Sequence, residues 1–148
     1  MEPDRLETLS VDECLELLAT HHFGRVAIDE AEGPTILPVN YVLDLGSVVF
    51  RTDEGTKLDA AARRERISFQ VDHVDEGARV GWSVLIRGKA EEVADPVELE
   101  RLRTLPLEPF AGGERHRYVR LLSSSITGRR IPLPASIPEG WFRPASGR

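Results

Sequence analysis

The chain has 148 residues, enough for one domain with a single core and too few for two full enzyme domains. Lysine and arginine number 19 against 25 aspartates and glutamates, and the resulting net charge of −6 argues against a nucleic-acid or anionic-membrane binder, since both need a clustered positive surface. A hydrophobic content of 41% with 30% charged residues fits a folded chain better than a disordered one. No apolar run approaches the ~18 residues of a membrane-spanning helix, and residues 1–7 lack a basic stretch followed by an apolar one, so a cytoplasmic location is expected. Cys14 is the only cysteine, which leaves no disulfide framework and no cysteine metal cage. His21, His22, His73 and His116 lack a zinc-like spacing, and no metal site is expected.

In chain order, Ser10 and Glu13 form an S-x-x-E capping box that starts a helix. Val11, Cys14, Leu15 and Leu18 recur along one face of it, which makes Cys14 a core residue and not a nucleophile. Val26 and Ile28 alternate with polar neighbours in a half-buried strand. A second strand, residues 35–42, contains Pro38, which cannot donate to a ladder and points to an edge or a bulge. A third covers 48–52, and the alanines of residues 58–63 favour a short helix. Ile67, Phe69 and Val71 mark a fourth strand. Trp82, Val84, Ile86, Gly88 and Ala90 share one face of a fifth, in which Gly88 invites a bulge. Asp95 caps a helix with Pro96 at its first position and Leu99, Leu102 and Leu105 near one face, stopped by Pro106, Pro109 and Gly112-Gly113. Residues 118–122 make a sixth strand, and 132–148 read as an irregular proline-rich tail. About six mostly consecutive strands with few intervening helices predict a mainly β fold, an antiparallel barrel with peripheral helices, in one domain over residues 1–131.

The stretch richest in chemistry is Phe50-Arg51-Thr52-Asp53-Glu54-Gly55-Thr56-Lys57, leading from a strand through a glycine loop into a helix. Arg51 and Lys57 supply positive charge, and Thr52 and Thr56 supply hydroxyls, groups that suit a phosphate. The alternative is an ordinary turn with a solvated Arg and Lys, favoured by the charges of Asp53 and Glu54. Asn40, within the proline-broken strand, can donate and accept toward a ligand or simply begin a turn. Trp82 offers a flat face for stacking, at a ligand or in a core. Arg129 and Arg130 could reach an anion or stay solvated, and the runs 63–66 and 115–117 read as solvated faces. No P-loop, G-x-G-x-x-G, G-x-S-x-G or H-E-x-x-H occurs, so no catalytic residue is assigned, and any difficult chemistry would fall to a bound cofactor.

Taken together, Gly24-Arg25-Val26-Ala27, Pro38-Val39-Asn40-Tyr41, Phe50-Arg51-Thr52 with Gly55-Thr56-Lys57-Leu58, and Gly81-Trp82-Ser83-Val84 with Arg87-Gly88 resemble the short branch of the pyridoxamine 5′-phosphate oxidase-related flavoproteins. The resemblance spans residues 10–131 and lies in the order and spacing of several weak motifs. It implies a split β-barrel homodimer with FMN at the subunit interface. By that resemblance Arg51, Thr52, Thr56 and Lys57 would hold the flavin phosphate and Val39 and Asn40 would lie along the ring. Trp82 and Ser83 would approach from the partner chain, and Arg129 would sit near the flavin. It further implies a flavin-dependent oxidoreductase acting on a small molecule. The tail does not look like the segment that grips pyridoxal phosphate in the true oxidases. An F420-dependent reductase and a non-enzymatic flavin or haem carrier stay open as alternatives.

Overall fold

A computed structural model of the chain describes residues 7–64, 66–75, 77–78, 80–107 and 116–132. Among the described residues there are seven strands, β1 (Glu7–Leu9), β2 (Phe23–Glu30), β3 (Gly33–Asp44), β4 (Ser47–Asp53), β5 (Ile67–Asp75), β6 (Val80–Glu92) and β7 (His116–Pro132), and three helices. These are α1 (Val11–Ala19), α2 (Lys57–Ala61) and α3 (Pro96–Leu102). Every ladder is antiparallel, and the strand order β7-β4-β3-β2-β5-β6 closes on itself through a β6–β7 pairing. The six strands expected from the sequence therefore make the ring, and the fold is the mainly β barrel with peripheral helices. The seventh strand, β1, is a three-residue addition outside it.

One expectation is corrected at the C-terminal side. The last strand was expected over five residues, 118–122, but β7 runs for 17. One edge of β7 pairs with β6 from Val80↔Pro132 to Glu92↔Val119, while its other edge serves β4 at residues 116–120 and β1 at 128–130. Ser123, Ser124 and Ser125 carry no apolar alternation, so this part of the strand is held by backbone pairing, which composition does not reveal. The proline-rich tail, apart from Pro132, and the expected helix stop at Pro109 and Gly112-Gly113 lie outside the described residues.

Local signals set the remaining elements. The α1 capping box is complete: Glu13 N–H donates to Ser10 Oγ at 3.1 Å and Ser10 N–H to Glu13 Oε1 at 3.0 Å. Cys14 and Leu18 are buried against the barrel, and the Tyr41 hydroxyl donates to Leu18 O at 2.6 Å, tying the end of α1 to β3. Gly128 makes room for this helix, since a Cβ there would stand 2.5 Å from Cys14 Sγ. Val26, Tyr41, Phe50, Phe69, Trp82, Val84 and Ile86 point inward and form the main core. The β6–β7 register shifts between Arg87 and Gly88, the bulge that Gly88 suggested.

A smaller cluster lies outside the barrel, where Leu102 at the end of α3 and Leu107 beyond it pack with Val42, Val49 and Tyr118. A charged lock secures it. Buried Asp44 accepts from Arg101 and, at 2.7 Å, from Arg120 Nη2, which also pairs with Glu98 at 2.6 Å. Burial alone would raise the Asp44 carboxyl, but the hydrogen bonds from Arg101 and Arg120 outweigh it and hold the group below the usual carboxylate range.

Candidate functional site

The barrel parts between β3 and β4. These strands share only the pairs from Tyr41↔Phe50 to Asp44↔Ser47. Before Tyr41, β3 pairs with β2 alone, and after Phe50, β4 pairs with β7 alone. No ladder joins the facing edges of residues 38–40 and 51–53, and the edge character expected from Pro38 holds over this half of β3. Strand alternation sends Val39 into the core and leaves Asn40 half-buried on the outer face. On β4, Arg51 lies outward and Thr52 inward and buried, so these sequence neighbours work on opposite sides.

The loop that follows is closed around a carboxylate of its own. Gly55 adopts a φ of 83°, open to glycine at little cost, and its N–H donates to Asp59 Oδ2 at 3.1 Å. Thr52 Oγ1 donates to Asp59 Oδ1 at 3.3 Å. Thr56 caps α2, accepting from Asp59 N–H at 3.1 Å and donating its hydroxyl proton to Asp53 O at 2.7 Å. Arg63 and Arg117 stand 3.5 and 3.7 Å from the Asp59 carboxylate. The fold thus brings Thr52 and Thr56 together, but through Asp59, which the sequence reading missed. A pointer was present, because Thr56-Lys57-Leu58-Asp59 has the spacing of a capping box with Asp in the acidic position.

The two cations of the stretch remain outside that arrangement. Lys57 is exposed and has no ion-pair partner among the described residues. Arg51 donates through Nη1 to Leu107 O at 3.0 Å and lies 5.2 Å from the Tyr118 ring centroid. Its buried Nε has no hydrogen-bond partner.

A second group sits across the barrel. The Trp82 ring is buried, edge-on to His21 at 4.9 Å, with the His73 ring 5.0 Å from His21. Ser83 faces the other way and accepts from Gln70 Nε2 at 3.3 Å. Arg129, exposed on β7, is the register partner of Ser83. Phe23, the partner of Asn40, and Ile36 are 44% and 64% exposed on the same outer face. Burial, with some help from Glu13, raises the Cys14 thiol, so it supplies no thiolate. Among the described residues no His/Cys/Asp/Glu group could hold a metal ion, and no helix is long and apolar enough to cross a membrane.

The arrangement offers an outward-facing amide, two cations and two unladdered main-chain edges, with no nucleophile–base pair. The family model for pyridoxamine 5′-phosphate oxidase matches residues 10–130. The uncharacterised Mycobacterium tuberculosis protein Rv0080 is 33% identical over 135 residues, covering 88% of both chains. Among solved structures, the FAD-binding protein from Mycobacterium smegmatis superposes with a TM-score of 0.77 and 36% identity, covering 86% of this chain and all of that one (100%). An FAD-binding protein from Mesorhizobium loti gives a TM-score of 0.69 and 25% identity over 84% of this chain and 96% of its own. The match from the cap of helix α1 to Arg130 in β7 leaves one conclusion: the chain belongs to the pyridoxamine 5′-phosphate oxidase family.

Proposed function

We propose that this protein binds a flavin in the parting between β3 and β4 and works as a flavin-dependent oxidoreductase on a small molecule. The observation that carries the reading is the unladdered edge of residues 38–40 and 51–53, with Asn40 half-buried on its outer face, Arg51 on β4 turned toward Tyr118 and Lys57 exposed at the start of α2. The orphaned Nε of Arg51 is a buried donor of the kind an anionic oxygen satisfies, and with Lys57 it fits a phosphate-bearing group. Arg51 and Lys57 take the phosphate, while Thr52 and Thr56 hold their loop in shape through Asp59. Val39, buried, contributes main chain beside Asn40 along the ring. When bound, the flavin supplies hydride and electron transfer; the chain's residues bind it, orient it and set its local charge. The exposed Phe23 and Ile36 support a homodimer in which a second copy covers this face, bringing Ser83 and Arg129 of one subunit toward the flavin of the other, while the Trp82 ring stays in the core of its own barrel.

FMN is the form implied by the resemblance of the motifs. The 36% identity to an FAD-binding protein makes FAD the second form to test, with F420 as a third. The experiment is an absorption spectrum of purified protein before and after FMN, FAD or F420 is added and the excess removed, with the mass read by light scattering. Retention of one flavin per chain by a dimer is expected, lost in the double variant Arg51→Ala/Lys57→Ala at unchanged far-UV circular dichroism. Absence of binding by all three, or full retention by the double variant, refutes the assignment.

A further inference from the structure

A second opening lies at the other end of the same strands. The Phe23↔Asn40 pair beside the parting and the Ile28↔Thr35 pair beside this opening are five residues apart on β2, about 16 Å at ~3.3 Å per residue. The groove has a volume of about 650 Å³, within the range of small-molecule sites. Its wall is cationic. Arg66, leading into β5, and Arg87 and Lys89, on either side of the Gly88 bulge, line it against one carboxylate, Asp29. A local excess of positive charge stands out in a chain of net charge −6.

The position of these cations is forced by the strands. Ile67 pairs with Gly88 and Ser68 with Arg87, so the antiparallel register carries Arg66 to the side of Lys89. Like charges on adjacent strands are mutually destabilising. None of the three has an ion-pair partner among the described residues. On the other side of β6, β7 bulges at Ser124 and packs closely: Gly88 leaves the Leu122 carbonyl a place that a Cβ would occupy, and Ser124 Oγ donates to Arg87 O at 3.1 Å. Behind the charges, Ile28, Ile67 and the 45%-exposed Leu122 give the groove an apolar floor.

We propose that this groove binds an anionic small molecule with an apolar body, its carboxylate or phosphate held among Arg66, Arg87 and Lys89 and its hydrocarbon part against Ile28, Ile67 and Leu122. The inference is independent of the flavin reading, since it uses none of the residues at the parting. The test is a fluorescence titration with 1-pyrenebutyrate, with the neutral 1-pyrenebutanol in parallel. Saturable binding of the butyrate is expected, weakened about tenfold or more in Arg87→Ala/Lys89→Ala by loss of two charge-assisted contacts and unchanged in Lys57→Ala. Both altered side chains are exposed, so the fold is retained, and its melting temperature is checked alongside. Displacement of the probe by octanoate or by octyl phosphate then distinguishes the two head groups. The proposal is overturned by absence of saturable binding, by equal affinity of the wild-type protein and the double variant, by equal affinity for the neutral probe, or by loss of binding in Lys57→Ala alone.

Discussion

Asp59 organises the loop between β4 and α2, and its replacement by alanine has a calculable cost. The residue is 4% exposed. Substitution strands the Thr52 hydroxyl, which is buried with it, at about 1.5–2 kcal/mol for a buried donor left unsatisfied. The Gly55 N–H lies nearer the surface and can turn to water, which limits its share to about 0.5–1 kcal/mol. Arg63 has a side chain 63% exposed and adds little, and Arg117, 25% exposed, keeps its pairing to Glu54 at 3.3 Å. The total is about 2–3 kcal/mol, or roughly 4–12 °C in Tm at ~2–4 °C per kcal/mol for a domain of this size. Urea unfolding of wild type, Asp59→Ala and Asp59→Asn measures it, and hydrogen exchange at the Gly55 amide reports the loop directly. Asparagine keeps one carbonyl acceptor and is expected to recover about half of the loss. A loss under ~1 kcal/mol in Asp59→Ala, or an unchanged Gly55 exchange rate, refutes the view that this carboxylate holds the loop.

Gly88→Ala would place a Cβ against a main-chain carbonyl that no rotamer change can move, and is expected to cost about 3 kcal/mol in thermal or urea unfolding, against about 1 kcal/mol for Gly46→Ala, where there is open space and only a φ of 77° to resist. Asp44, whose folded pKa lies below its unfolded value, contributes stability that is fully present above the unfolded value near ~3.9 and lost as the pH falls through the folded one. Asp44→Asn is therefore expected to lower stability at pH 7 and to flatten its dependence on pH below ~4, as measured by urea midpoints across the acid range.

Much of the fold was legible because its signals are local. A capping box needs only Ser10 and Glu13, a half-buried strand needs only the alternation of Ile67, Phe69 and Val71, and a bulge needs only Gly88 in an apolar strand. Counting such elements was enough to reach the barrel. Strand β1 and the second half of β7 escaped because each is held by backbone pairing to a segment far along the chain, Glu7 to Arg130 and Ser125 to Arg87, and side-chain composition carries no record of that. At the candidate site, the order of residues already names the groups present between Phe50 and Lys57. Their allegiance depends on folding, since strand pleat turned Arg51 toward Tyr118 and Thr52 toward the core, and the first turn of α2 carried Asp59 into the place that a list of donors would have reserved for a ligand. The same holds for the cationic groove, where Arg66 reads as part of a solvated run along the chain and comes beside Lys89 only when the β5–β6 register is set.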